Sequence, residues 1–321
     1  MKIMTNMTTS YFDLPRYESN DDLKAFYREA GLDGIELMLS GEDEKHIVQP
    51  EDIVGMHLMY FNDWLSVWKE DREAILAEYG TFETAEGIFG GLKPQNIIDS
   101  FRKNISKAKE YDPEYAVFHV SNATLSQSVT NTSLLQDSEV TGAAADLINE
   151  IFSDGDEPFA LLLENLWWSG LTMTDPEICL GFLDRVKYRN KGIMLDTGHL
   201  MHTNTKLRSL DEAEDYILEV LERYDNLDFI RGVHLHQSLS GEYVEKIMDE
   251  GISLEGDYFS RYLSLHSHII EVDNHKPFIS PRINEIIKKI DPQYLVFELI
   301  TSGRAEHEEY LRAQMDCFRQ Q

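Results

Sequence analysis

Cysteine is nearly absent from this 321-residue chain, which carries only Cys179 and Cys317. They lie far apart in segments of helical spacing. That excludes a disulfide framework and a thiolate metal site, and it suits a reducing, cytoplasmic setting. Long hydrophobic runs are missing too: the apolar stretches fall far short of the ~20 residues a membrane helix needs. The opening "MKIMTNMTTS" has one lysine but no apolar stretch behind it, so no secretory signal is expected. Positive charge is the third scarcity, with 29 Lys and Arg against 58 Asp and Glu and a formal charge of −29. Such an excess repels phosphate backbones and anionic membranes at long range, so neither is expected as a partner.

What is present is a chain that can build a core, with 42% hydrophobic residues. Short apolar or β-branched runs at 2–7, 34–39, 53–59, 115–120, 159–164, 192–196, 229–236 and 294–299 read as strands. Segments with apolar residues three and four apart lie between them; in 93–111, Ile97, Ile98, Phe101, Ile105 and Ala108 would line one helix face. Asp175-Pro176 and Ser280-Pro281 read as helix starts, and Ser209 with Glu212 as a capping box. No Pro/Gly/Ser-rich linker divides the chain and no repeat of fixed period is visible. Eight strands, most followed by a helix, predict an α/β fold: one (β/α)8 TIM barrel over residues 1–321. An open doubly wound sheet shares the alternation but would usually show a glycine-rich first turn, which is lacking.

The ends of the predicted strands carry the functional signal. In "IMLDTGHLMHT" (193–203) an apolar strand runs into Asp196, with His199 just beyond. The other strands repeat the device. Strand three ends at His57, strand four at His119, strand five at Glu164 and strand eight at Glu298, while strand seven bears His234 and His236 on one face. In a barrel of this kind the carboxyl ends of the strands form the active site. Unpaired buried charges are costly and clustered carboxylates repel one another; a divalent cation resolves both problems. Donors of His, Asp and Glu without Cys favour Mn, Co, Fe or Zn, admit Mg and disfavour Ca.

The motifs "DGIEL" (33–37), "LLLEN" (161–165), "LDTGH" (195–199), "GVHLH" (232–236), "DNHKPF" (273–278) and "VFEL" (296–299) carry a resemblance. The sequence resembles the xylose-isomerase-like barrels, which span sugar isomerases, sugar epimerases and apurinic-site endonucleases. Similarity to the epimerases implies a single metal held by Glu164, Asp196, a strand-seven histidine (His234 or His236) and Glu298, with His199 near the substrate. Similarity to the endonucleases implies a larger set around three zinc ions: His57, His119, Glu164, Asp196, His199, His234, Asp273, His275 and Glu298. Against a duplex substrate stand the acidic balance and the long segment between strand seven and "DNH".

Two long insertions fall on the catalytic side, at about 60–92 and 238–280. All four tryptophans lie there: Trp64 and Trp68 in the first insertion, Trp167 and Trp168 just after Glu164. Indole faces suit stacking on a sugar ring, although Trp64 and Trp68 fit equally well as packing for an insertion helix. The sequence therefore favours a divalent-metal-dependent sugar or polyol isomerase or epimerase working through an enediolate. The resemblance implies proton transfer by Glu164 and Glu298, and Glu36 and the Trp167-Trp168 pair are candidates for substrate contact. The rival readings are a multinuclear phosphoester hydrolase and a non-catalytic barrel that keeps a structural metal.

Overall fold

Eight parallel strands close on themselves in chain order in the computed structural model, which describes residues 1–40, 46–130 and 135–319. They are β1 (Lys2–Thr8), β2 (Gly34–Met38), β3 (Ile53–His57), β4 (Tyr115–His119), β5 (Ala160–Glu164), β6 (Lys191–Asp196), β7 (Ile230–Leu235) and β8 (Tyr294–Phe297). Helices follow most of them, with only the 3-10 turn Pro50–Asp52 among the described residues between β2 and β3, so the architecture is the predicted (β/α)8 TIM barrel. Both faces of each strand are covered, which is why the strands read as near-continuous apolar runs. β5, for example, is buried at every position.

The alternation of the strands sorts side chains into two cores. One face packs outward under the helices, including Ile97, Ile98, Phe101, Ile105 and Ala108 of helix Pro94–Ala108 as the spacing predicts. The other fills the barrel with Met4, Val54, Tyr115, Val117, Ala160, Leu162, Met194, Tyr294 and Val296. Tyr115 fits because β3 offers Gly55: a Cβ there would stand 2.1 Å from the tyrosine ring. This apolar plug forms the floor on which the polar strand ends sit.

The helix-start signals fare unequally. Asp175 accepts from the amides of Glu177 and Ile178 and starts helix Pro176–Arg185 as expected. Ser209 caps helix Leu210–Leu221, but Glu212 reaches back to the amide of Arg208 rather than to that of Ser209. Ser280 does not cap: helix Ile283–Ile290 begins later, with Arg282 at its N-cap, and the serine hydroxyl receives the Arg282 amide. The first insertion folds as helices Leu65–Trp68, Arg72–Tyr79 and Phe82–Phe89, the second as Gly241–Glu250 and Tyr258–Val272. Among the described residues no helix is long and apolar enough to cross a membrane.

Candidate metal centre

Register brings the donors together. β4 pairs with β5 so that His119 lies beside Glu164, and β6 pairs with β7 so that Asp196 lies beside His234. Glu298 follows the last residue of β8, and Asp273 and His275 arrive from the end of the second insertion. Asp196 also caps helix Thr197–His202, accepting the His199 amide at 2.6 Å. One carboxylate thus ends a strand, starts a helix and orients the next histidine.

Four groups of donor atoms result, three of them without His236. In the first, His57 Nε2 and His119 Nε2 each lie 3.2 Å from Glu164 Oε2. In the second, His234 Nδ1 faces Glu298 Oε2 at 3.2 Å, Glu164 Oε1 at 3.4 Å and Asp196 Oδ2 at 3.7 Å. In the third, His199 Nε2 and His275 Nε2 approach Asp273 Oδ2 at 3.1 and 2.8 Å. Glu164 belongs to the first two groups.

The outer nitrogens fix which ring atom faces inward. A carbonyl can only accept, so the nitrogen facing one carries the proton. His57 Nδ1 donates to Leu58 O at 2.9 Å, His199 Nδ1 to Asn165 O at 2.9 Å and His275 Nδ1 to Glu298 O at 3.1 Å. His234 directs Nε2 to Glu36 at 2.9 Å. In all four the other nitrogen points into its donor group, the arrangement by which proteins present neutral imidazole to a metal. Three buried atoms of the second group, Glu164 Oε1, His234 Nδ1 and Glu298 Oε2, make no hydrogen bond among the described residues. Buried polar atoms of native proteins normally have a partner, and a cation at this point would supply it. The residues fit a divalent metal.

The electrostatics point the same way. Burial alone would raise the carboxyls of Glu164, Asp273 and Glu298, but the histidines facing them hold all three well below the usual range. Burial would lower His199, His234 and His275; their carboxylates override it, driving the first two well up and His275 to about 9. Carboxylates kept charged in a buried mouth are suited to cations.

His236 stands apart from the groups. It donates through Nε2 to Asp196 Oδ2 at 3.0 Å and stacks flat on His275, with centroids 3.8 Å apart and planes 7° from parallel. Proximity alone joins it to His275 and Glu298, but an imidazole lone pair lies in the ring plane, and two stacked parallel rings cannot both aim at one ion. Of the two strand-seven candidates, His234 therefore faces the shared donor group. Glu36 is 2% exposed and lies beneath that group, receiving the Tyr115 hydroxyl at 2.7 Å and His234 Nε2. Those partners place it behind His234 rather than open to a substrate hydroxyl.

Trp167, half-buried, flanks His199 and His202 with ring centroids 5.1 and 4.7 Å away, and Trp168 packs on Trp167. Trp64 is buried and donates to Ser121 O at 2.8 Å, which makes it packing for the first insertion. Three neighbours of the site went unremarked among the sequence candidates. Tyr60, 44% exposed, lies with its ring 4.6 Å from that of His119. His202 Nε2 contacts Asp273 Oδ1 at 3.1 Å, and Ser238 donates to the same oxygen at 3.2 Å. His202 was legible as the residue one helical turn after His199; Tyr60 and Ser238 carry no sequence signal of their own.

No family model matches the sequence, and no curated protein matches it. Solved structures do. Endonuclease IV from Thermus thermophilus superposes with a TM-score of 0.53 at 14% identity, over 100% of both chains. The likeness is one of fold, an eight-stranded parallel TIM barrel. AsfvAP:AG gives a TM-score of 0.51 at 12% identity, over 99% of this chain and 98% of that one. A D-tagatose 3-epimerase-like protein gives 0.48 at 18% identity, over 99% and 98%. Likeness at such identities speaks to fold alone.

Proposed function

We propose that the chain is a divalent-metal-dependent phosphoester hydrolase with three ion seats. One observation carries the reading: with the group that contains the stacked His236 set aside, the donors form three groups, not one, and histidines in each turn a nitrogen inward. An epimerase of the kind favoured by the sequence needs only Glu164, Asp196, His234 and Glu298. It would leave His57 with His119, and His199 with Asp273 and His275, as two further buried clusters without a purpose. His57, His119 and Glu164 would hold one ion, Glu164, Asp196, His234 and Glu298 a second, and His199, Asp273 and His275 a third. Histidine and carboxylate without thiolate suit Zn, Mn or Co, with Mg admissible.

Divalent ions in such seats supply Lewis-acid stabilisation of a phosphoryl group and an acidified water. The protein's own part is to orient and select. Leu58, Asn165, Glu36 and Glu298 hold the imidazoles through their outer nitrogens. Asp196 fixes His199 through its amide, and Trp167 and Tyr60 wall the opening with aromatic faces. With three divalent ions held there, the four carboxylates that face them would be outweighed and the mouth would attract an anion. The chain as a whole, at −29, repels a long one, which favours a small phosphoester over duplex nucleic acid.

Metal-loaded protein assayed on p-nitrophenyl phosphate and bis(p-nitrophenyl) phosphate should release nitrophenol, lose activity to a chelator and regain it with added ions. Epimerisation of free ketoses by protein holding one ion per chain, without phosphoester cleavage, would overturn the reading. That outcome would restore the isomerase alternative, which the presence of both Glu164 and Glu298 in the second group favours.

A further inference from the structure

We propose that His236 and Ser238 couple the second and third ion seats, so that their ions load cooperatively. The inference rests on the three-seat reading and concerns two residues that need not touch any ion. His236 is fully buried and reaches both seats. Its Nε2 donates to Asp196 Oδ2, a carboxylate of the second seat, at 3.0 Å. Its Nδ1 lies 3.3 Å from Ser238 Oγ. Ser238 Oγ lies between that nitrogen and Asp273 Oδ1, 3.2 Å away, so its one proton is shared between the two acceptors; it also accepts the His275 amide at 3.2 Å, and Asp273 and His275 belong to the third seat. The His236 ring lies flat against that of His275. The same Asp196 holds the amide of His199, the remaining member of the third seat, through its other oxygen.

Every donor of the third seat is therefore tied to Asp196, either directly or through His236 and Ser238. An ion that orders Asp196 also orders the groups hanging from it, so the next ion meets donors already in place and loses less conformational freedom on binding. The backbone is shaped for this contact. A Cβ on Gly198 would lie 2.0 Å from His236 Cε1, so only glycine in "LDTGH" leaves room for the ring. Coupling between two sites usually changes affinity about 5- to 150-fold, and the effect is reciprocal.

The test is a stepwise Co2+ titration of the full chain, followed by the visible absorption of bound cobalt and by competition with a chromophoric chelator. Wild type should take up three ions, with the second and third seats filling in one sigmoidal step. Ser238→Ala removes only a hydroxyl; it should keep the stoichiometry but split that step in two, weakening the later ion about 10-fold or more. His236→Gln should act alike, and the double variant should lose no more coupling than either single one, since both act in one relay. Three ions binding independently in wild type, or an unsplit step in a folded Ser238→Ala, would overturn the coupling while leaving the seats intact. Uptake of one ion would overturn the seats themselves. Ser238→Ala alone decides if His236→Gln fails to fold.

Discussion

Glu36 and His234 meet beneath the site: Glu36 Oε1 lies 2.9 Å from His234 Nε2, and both side chains are buried within the barrel. The tyrosine that fills the barrel floor, Tyr115, donates to the same carboxylate at 2.7 Å. A carboxylate behind an imidazole fixes its tautomer and raises its basicity, so the ring turns Nδ1 upward to Glu164, Asp196 and Glu298.

Glu36→Gln should therefore weaken metal binding about 10- to 100-fold, the usual effect of removing such a partner. Chelator competition against Co2+ measures it. The fold should persist, because the amide can still accept from Tyr115. Unchanged affinity would show that His234 is held by packing alone.

Gly198→Ala should damage the site from the backbone side. The added methyl would lie 2.0 Å from His236 Cε1 and 2.5 Å from its Nδ1, and the ring is wedged between it and His275. Overpacking of this kind costs roughly 1–3 kcal/mol. Urea unfolding of the two proteins reads the loss, and a difference within about 0.5 kcal/mol, typical of a neutral surface change, would contradict the packing argument.

Glu78, which is in none of the donor groups, gives a pH signature of its own. It sits in the first insertion, receives the Leu125 amide at 2.9 Å, and is pushed up to about 7 by burial. A carboxyl raised above its unfolded value contributes stability below about pH 4.5 that is lost as pH rises through about 7. Urea unfolding at pH 5 and pH 8 should show Glu78→Gln gaining on wild type at the higher pH, by on the order of 3 kcal/mol at most. A difference independent of pH would mean that the carboxyl ionises freely in the fold.

The charge balance makes a prediction about partners. A labelled duplex containing an abasic site should show no useful binding at physiological salt by fluorescence anisotropy, since affinity for duplex DNA depends on neutralising phosphates with Lys and Arg. Submicromolar binding would make duplex DNA the substrate of the same seats.

The barrel was legible because each strand is covered on both faces and so reads as an apolar run of its own. His57, His119, Glu164, Asp196, His234 and Glu298 were legible because strand ends in a barrel converge, whereas Asp273 and His275, which come from an insertion, were picked out only by the resemblance. The choice between His234 and His236 was not, since both project from one face of β7 and only their neighbours across the barrel tell them apart. Glu36 was readable as an inward carboxylate, but its partners Tyr115 and His234 come from distant strands. Ser280 misled because a serine before a proline marks a turn as readily as a helix cap; here two turn residues intervene.

Anomalous diffraction from crystals grown with Co2+, measured on either side of the cobalt edge, tests the central claim most directly. The account predicts three peaks: one among His57, His119 and Glu164, one among Glu164, Asp196, His234 and Glu298, and one among His199, Asp273 and His275. Each should sit at about 2.0–2.2 Å from its donors. A single peak at the Glu164, Asp196, His234 and Glu298 group, with the other two groups empty, would contradict it.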